Sequence, residues 1–258
     1  MTTALITGAS AGIGTAFASQ LAARGNDVVL VSRDRARLEA LAAELTSCHG
    51  VAAEVLAADL TDSAQLASVE ARLADRDRFV DVLVNNAGYG TNGHFAELDR
   101  DIETREIGLN VVALVRLTHA ALGPMVERGT GAVLNVGSIA GCQPTPGNAT
   151  YGATKAFVSS FTQSVHEEVR GSGVHVTLVC PGFTRTEFQV NAGIDSRKVP
   201  GFLWQSAEEV AAGALTALDH DRAVYVPGTL NRVTAAVVSV LPDALTRRLA
   251  ALVVEQVE

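Results

Sequence analysis

The feature that most constrains this chain is a series of short, unbroken apolar runs, each followed by a longer stretch with helical spacing. The runs at 2–7, 27–32, 51–57, 81–85, 131–137, 174–180 and 223–227 are rich in Val, Leu and Ile, and most do not alternate with polar residues. A strand that is apolar at successive positions is buried on both faces, which calls for a parallel sheet covered by helices. Between the runs, Ile13, Phe17 and Leu21 recur at spacing four, and Leu38, Leu41 and Leu45 at three and four. Asp62 with Gln65, and Ser206 with Glu209, have the spacing of helix-start caps. The segment 101–128 ends at Gly129-Thr-Gly131, and 149–170, with Val158, Phe161, Val165 and Val169 on one stripe, ends at Gly171-Ser-Gly173. This rhythm predicts an α/β fold: a doubly wound, Rossmann-type sheet of seven parallel strands with helices on both faces.

No linker, repeat or low-complexity tract interrupts the pattern, so residues 1–258 are expected to form a single domain. The segment 183–206 lacks a period and reads as a long loop with short helices. The segment 229–256 is apolar with Arg247 and Arg248 embedded, and is expected to be helical. Docking on the domain or on a second subunit is its expected role, with contact to a membrane surface as the alternative. The stretch Thr234–Leu241 is too short to span a bilayer. No charged leader precedes the first run.

A formal charge of -8 with scattered Lys and Arg gives no basic footprint for nucleic acid. Cys48, Cys142 and Cys180 have neither framework nor metal-ligand spacing. No metal site is expected, and a reducing, cytoplasmic setting is the simpler reading.

After the first run comes Thr7-Gly8-Ala9-Ser10-Ala11-Gly12-Ile13-Gly14, then an amphipathic helix. Glycines let the backbone N–H groups of a tight turn approach a pyrophosphate, and the helix N-terminus adds positive potential. The competing reading is a purely structural strand-to-helix turn; its place after an N-terminal strand favours a dinucleotide. The second run ends Val31-Ser32-Arg33-Asp34. A guanidinium at Arg33 would attract a ribose 2′-phosphate, which implies NADP. By spacing alone an exposed arginine opening a helix is an equal reading. Asp34, one residue on, keeps a ribose hydroxyl and NAD open.

Tyr151 and Lys155, four apart, share one face of a helix. A neighbouring ammonium lowers a phenol's pKa, which lets tyrosine exchange a proton with a substrate oxygen. Ser138 lies just past a strand end, where open α/β sheets bind ligands, and its hydroxyl could support a carbonyl oxygen. Taken singly, each of Asn110, Ser138, Tyr151 and Lys155 has an ordinary structural role. Their order behind a phosphate-type turn favours chemistry.

Thr7-Gly8-x-x-x-Gly12-x-Gly14, Asn85-Asn86-Ala87-Gly88, Asn110, Ser138, Tyr151-x-x-x-Lys155 and Pro181-Gly182-x-Thr184 together resemble the short-chain dehydrogenase/reductase family, over residues 2 to about 227. The resemblance implies that Gly8, Ser10, Gly12, Ile13 and Gly14 hold the cofactor pyrophosphate. It implies that Asp59 meets the adenine and that Asn86 and Gly88 line the adenosine ribose side. Tyr151 would be the acid/base, Lys155 would also bind the nicotinamide ribose, and Ser138 would orient the carbonyl. Asn110 would hold a water linking Lys155 to solvent. Pro181, Gly182 and Thr184 would contact the nicotinamide. Relatives with arginine at the Arg33 position tend to use NADP. Homodimers or homotetramers through 101–128 and 149–170 are implied as well.

Phe183, Phe188, Val190, Ile194, Val199, Phe202, Leu203 and Trp204 in the 183–206 loop point to an apolar ketone or aldehyde, though packing of the loop itself explains them equally. The leading expectation is an NADP(H)-dependent carbonyl reductase. The rivals are an NAD-dependent alcohol or hydroxysteroid dehydrogenase and a catalytically idle dinucleotide sensor.

Overall fold

The computed structural model describes residues 2–193, 200–241 and 246–248. Ile194 and Val199 of the expected substrate loop, and most of 242–256, lie outside the described residues.

The elements run β1 (Thr3–Thr7), α1 (Gly12–Ala23), β2 (Asp27–Ser32), α2 (Arg35–His49), β3 (Ala53–Ala57), α3 (Ser63–Ala74) and β4 (Val82–Asn85). Next come α4 (Arg100–Ile107), a π-helical stretch (Gly108–Ala113), α5 (Leu114–Arg128), β5 (Gly131–Val136) and α6 (Ala149–Glu168). The order closes with β6 (Val174–Val179), α7 (Phe188–Asn191), α8 (Ala207–Asp219), β7 (Val224–Tyr225) and α9 (Thr229–Val240). Seven strands form one sheet in the order β3-β2-β1-β4-β5-β6-β7. Every neighbouring pair is parallel.

The pleat of β1 shows why its strand is apolar throughout. Ala4 and Ile6 join one core, with Phe17 and Leu21 of α1, Leu38 and Leu45 of α2, and Val210 and Leu215 of α8. Leu5 points the other way, into a core with Leu66 and Val69 of α3, Leu117 and Met125 of α5, and Val165 of α6. The caps expected from sequence are present. Asp62 accepts from the N–H groups of Ala64 and Gln65, and Ser206 with Glu209 forms a reciprocal capping box.

Two boundaries differ from expectation. The strand expected over 223–227 is only Val224–Tyr225, because it lies at the sheet edge and pairs only with Leu178 and Val179. The helix expected over 101–128 changes pitch at Gly108–Ala113. By length and hydropathy Arg100–Arg128 could cross a bilayer, but Leu117, Ala121 and Met125 are buried against the sheet.

The chain leaves β1 toward β2 on one side and later returns to β4 on the other. The carboxyl ends of β1 and β4 therefore diverge into a crevice, the place where doubly wound sheets receive ligands.

Candidate active site

The glycine turn closes this crevice from below. Gly8 and Gly12 adopt φ of 66° and 55°, the left-handed region that glycine enters without penalty. Gly14 serves a different need: a Cβ there would sit 2.1 Å from the Gly8 carbonyl oxygen. Asn86 ties the turn to β4 by donating from its amide to the Thr7 and Gly8 carbonyls, at 3.0 and 3.3 Å. Thr7 adds its hydroxyl, which accepts from the N–H groups of Asn86 and Ala87 and donates to the Val84 carbonyl. The side chain of Asn86 is thus spent on holding the turn.

A cavity of about 680 Å³ opens over the carboxyl ends of the strands. Its wall includes Gly8, Gly12, Ile13, Asn86, Gly88, Ser138, Tyr151, Lys155, Pro181, Gly182 and Thr184. Ser10, Gly14, Arg33, Asp59 and Asn110 are not on this wall.

Arg33 stands exposed past the end of β2. Asp34, its rival for the ribose, caps α2 by accepting from the Arg37 N–H at 3.1 Å. Asp59 has its carboxylate occupied by the Thr61 N–H and hydroxyl and by Arg105, at 2.9, 2.7 and 3.2 Å. Burial opposes its charge, but Thr61, Arg105 and Arg33 outweigh burial and hold the carboxyl below its usual range.

On the other side, Ser138 follows β5 in extended conformation and caps a 3-10 turn over Ile139–Cys142, accepting from the Ala140 N–H at 3.1 Å. It stands on the same cavity wall as Tyr151 and favours the phenolate there. Tyr151 and Lys155 share one face of α6, with the Lys155 Nζ 5.7 Å from the centre of the Tyr151 ring. The Lys155 ammonium is buried and donates to the Val136 carbonyl at 2.8 Å. Burial brings it down to about 8.

The expected lowering of the tyrosine by its lysine is not what this geometry produces. Burial pushes Tyr151 up to about 12, against the pull of Ser138. One Lys155 proton is committed to the Val136 carbonyl.

Asn110 lies buried in the π-helical stretch. Its amide donates to the Tyr89 carbonyl and the Thr154 hydroxyl at 2.8 and 3.1 Å, and its oxygen accepts from the Tyr89 N–H at 3.2 Å. Both amide protons are used by protein. A water linked to Lys155 would have to bind the remaining lone pair of the side chain or the backbone carbonyl.

The far wall is apolar: Ile139, Pro144, Pro146, Phe183 and Phe188 line it. Phe188 lies 5.4 Å from Tyr151, ring to ring. Phe202, expected to line the loop, points to solvent at 78% exposure. Trp204 packs against Phe183 in a tilted arrangement, ring centres 5.7 Å apart, and is not on the cavity wall.

Three features escaped the sequence reading. Thr234, Ala235 and Val238 of α9 form part of the cavity wall, and Asn231 packs on Gly182, where a Cβ would come within 2.4 Å of the Asn231 amide. A buried polar chain crosses the sheet: Asn85 donates to the Thr118 hydroxyl and the Asn135 side-chain oxygen, each at 3.0 Å, and the Asn135 amide donates to the Thr162 hydroxyl at 3.1 Å. Glu103 and Glu106 lie buried beneath the site. Their i, i+3 spacing on a short polar helix was the available signal.

Comparison with known proteins agrees with this arrangement. Residues 2–196 match the short chain dehydrogenase family. Hydroxysteroid dehydrogenase-like protein 1 of Gallus gallus is 33% identical over 83% of this chain, and the match spans 65% of that protein's length. Sulfoacetaldehyde reductase 2 of Chromohalobacter salexigens is 41% identical over 71% of this chain and 73% of its own. A short-chain dehydrogenase from Sphingobium yanoikuyae in complex with NADPH superposes with a TM-score of 0.85 and 41% identity, covering 94% of this chain and 96% of that one. The bulky-bulky ketone specific alcohol dehydrogenase from Comamonas testosteroni gives a TM-score of 0.80 at 34% identity, covering 95% and 96%. The chain belongs to the short chain dehydrogenase family. That family comprises oxidoreductases acting on alcohol and carbonyl groups with nicotinamide cofactors.

Proposed function

We propose that this protein is an NADP(H)-dependent reductase of bulky, largely apolar ketones or aldehydes. The observation that carries this reading is the presence of Ser138 and Tyr151 on one cavity whose lining also includes Ile139, Pro144, Pro146, Phe183 and Phe188. The residues fit a dinucleotide. Gly8 and Gly12 bring bare backbone to the cavity wall, Lys155 keeps two ammonium protons beyond the one given to Val136, and Pro181, Gly182 and Thr184 line the same cavity. Arg33 is the residue for a 2′-phosphate, and its rival Asp34 is engaged as a helix cap. The NADPH bound by the Sphingobium yanoikuyae relative supports this choice.

When bound, the nicotinamide supplies hydride to the carbonyl carbon. Tyr151 gives its proton to the carbonyl oxygen, and Ser138 donates a hydrogen bond to that oxygen as negative charge develops on it. A phenol raised to about 12 is fully protonated at neutral pH, which suits the reducing direction. The ketone selectivity of the Comamonas testosteroni relative accords with the apolar wall. Exposed Ile107, Val112, Val126 and Phe157 on α4 to α6 support assembly as a homodimer or homotetramer through these helices. The three unpaired cysteines accord with a cytoplasmic setting.

The test is a fluorescence titration with NADPH and with NADH, followed by turnover on bulky ketones, small aldehydes and a sulfonated aldehyde. Tighter NADPH binding with turnover of the bulky ketones is expected. A preference for NADH, or for the sulfonated aldehyde, would refute the corresponding half of the proposal.

A further inference from the structure

Glu103 and Glu106 project from α4 toward the loop after β4 and the first turn of α6, with exposures of 6% and 0%. Their hydrogen-bond neighbours are hydroxyls. The Thr91 hydroxyl lies 2.6 Å from Glu103 Oε1 and 3.3 Å from Glu106 Oε2. The Thr150 hydroxyl donates to the other oxygen of Glu103. Glu106 Oε1 is buried and has no partner among the described residues.

Counting protons settles the charge on the pair. A threonine hydroxyl has one proton to donate. Thr91 gives its proton to Glu103, the nearer acceptor. Its contact with Glu106 is then attractive only if Glu106 carries a proton and donates it to the Thr91 oxygen. An ionised carboxylate with one oxygen unpartnered by protein is costly to bury, and the neutral acid much less so. The arrangement is therefore Glu106–H to Thr91–H to Glu103 carboxylate.

We infer that Glu103 and Glu106 share one proton at neutral pH, and that the charge on this pair biases the acid–base balance of Tyr151 and Lys155. The second half rests on the proposed roles of those two residues. Glu106 lies one turn before Asn110, and Thr150, which binds Glu103, immediately precedes Tyr151. The titratable groups facing Glu106 are Glu103 on its own helix, Tyr89 on the loop after β4, and Tyr151 and Lys155 on α6. Burial first, then the charge of Glu103, lifts Glu106 to about 7, against the pull of Lys155. When Glu106 ionises, its charge sustains the Lys155 ammonium and opposes a Tyr151 phenolate. Glu106 is thus a positioning residue, acting through the field it places behind the pair.

The experiment is an infrared pH titration of the full chain, paired with pH–rate profiles. Wild type should show a protonated-carboxyl band that titrates near neutrality. Glu106→Gln should lose the band, and Glu103→Gln should move its midpoint to lower pH. In turnover, Glu106→Gln should shift the alkaline limb of the profile to lower pH, because Lys155 and Tyr151 lose a charge that raised both. A wild type without a neutral-range carboxyl, or a band that survives Glu106→Gln, would overturn the shared proton. An unmoved alkaline limb in a folded Glu106→Gln would overturn the coupling. If that variant does not fold, the midpoint shift in Glu103→Gln decides. Absence of turnover in wild type would count against the proposed reductase, while the infrared titration would still judge the pair.

Discussion

The two sides of the crevice are built by different means. The glycine-turn side, from β1 to β4, is made of backbone: positive-φ glycines, a helix start, and a close approach where no Cβ fits. The opposite side is made of side chains from distant segments. Tyr151 and Lys155 come from α6, Ser138 from the end of β5, Phe183 and Phe188 from the loop after β6, and Val238 from α9. A backbone cradle serves any ligand with a pyrophosphate, so it can be shared across chemistries. A side-chain wall is specific, because each contributing segment can change without disturbing the sheet. If this division is right, substitutions in the glycine turn should alter dinucleotide affinity and those at Ser138, Tyr151, Phe183 or Phe188 should alter turnover, with little crossover, while Lys155, Pro181, Gly182 and Thr184, proposed to hold the dinucleotide, stand outside the split.

The largest effect is expected for Tyr151→Phe, which removes the transferable proton and keeps the ring against Phe188. Turnover should fall by about 10²–10⁴, the usual contribution of a positioned acid, with NADPH affinity unchanged. Matched loss of affinity would show that Tyr151 belongs to the cradle as well and would break the division. Arg33→Ala should weaken NADPH by about 10- to 100-fold, the equivalent of one or two charge-assisted hydrogen bonds, and leave NADH unmoved. An equal loss for both cofactors would remove the 2′-phosphate from the role of Arg33.

The same division explains what could be read in advance. The sheet and its cradle were legible because their signals are local: unbroken apolar runs, helical stripes, caps, and glycines at fixed offsets. Ser138, Tyr151 and Lys155 were legible because they form a motif, and the structure brings them onto one cavity wall. Arg33 and Asp59 lie beyond the ends of β2 and β3 and off that wall. The Asn85–Thr118–Asn135–Thr162 chain was hidden because its partners are 27 to 50 residues apart. Glu103 and Glu106 read as ordinary surface charge on a polar helix. Their burial depends on Thr91 and Thr150, which only the fold brings near.

Gly14→Ala tests the backbone side. Its Cβ would collide with the Gly8 carbonyl oxygen and the Asn86 amide, at 2.1 and 2.6 Å. Neither atom is free to move, because the Asn86 amide is bonded to the same carbonyl and to Thr7. A loss of about 3 kcal/mol in stability, at the upper end for overpacking, is expected by denaturant titration, together with weakened NADPH binding. Unchanged affinity in a folded variant would mean that the turn is not the pyrophosphate cradle.

Asn231→Ala is the smallest and most discriminating change. Asn231 is buried and donates to the Gln205 side-chain oxygen and the Pro227 carbonyl, at 3.1 and 2.9 Å. These bonds fasten the start of α9 to the strand-end segment and to the close of the substrate loop. Thr234, Ala235 and Val238, which face the cavity, follow within the same helix. Truncation leaves two acceptors unpaired, a cost of about 1–3 kcal/mol. Because α9 contacts few other elements, much of that cost should appear as loosening of the cavity wall. KM for a bulky ketone should rise several-fold while NADPH affinity changes by less than about twofold, well inside the 1.4 kcal/mol that a tenfold change represents. Asn231 also presses on Gly182, however, and Gly182 is on the side assigned to the nicotinamide. If KM rises and NADPH affinity falls together, α9 braces both ligands through Gly182, and the boundary between cradle and wall runs through that glycine rather than between β4 and β5.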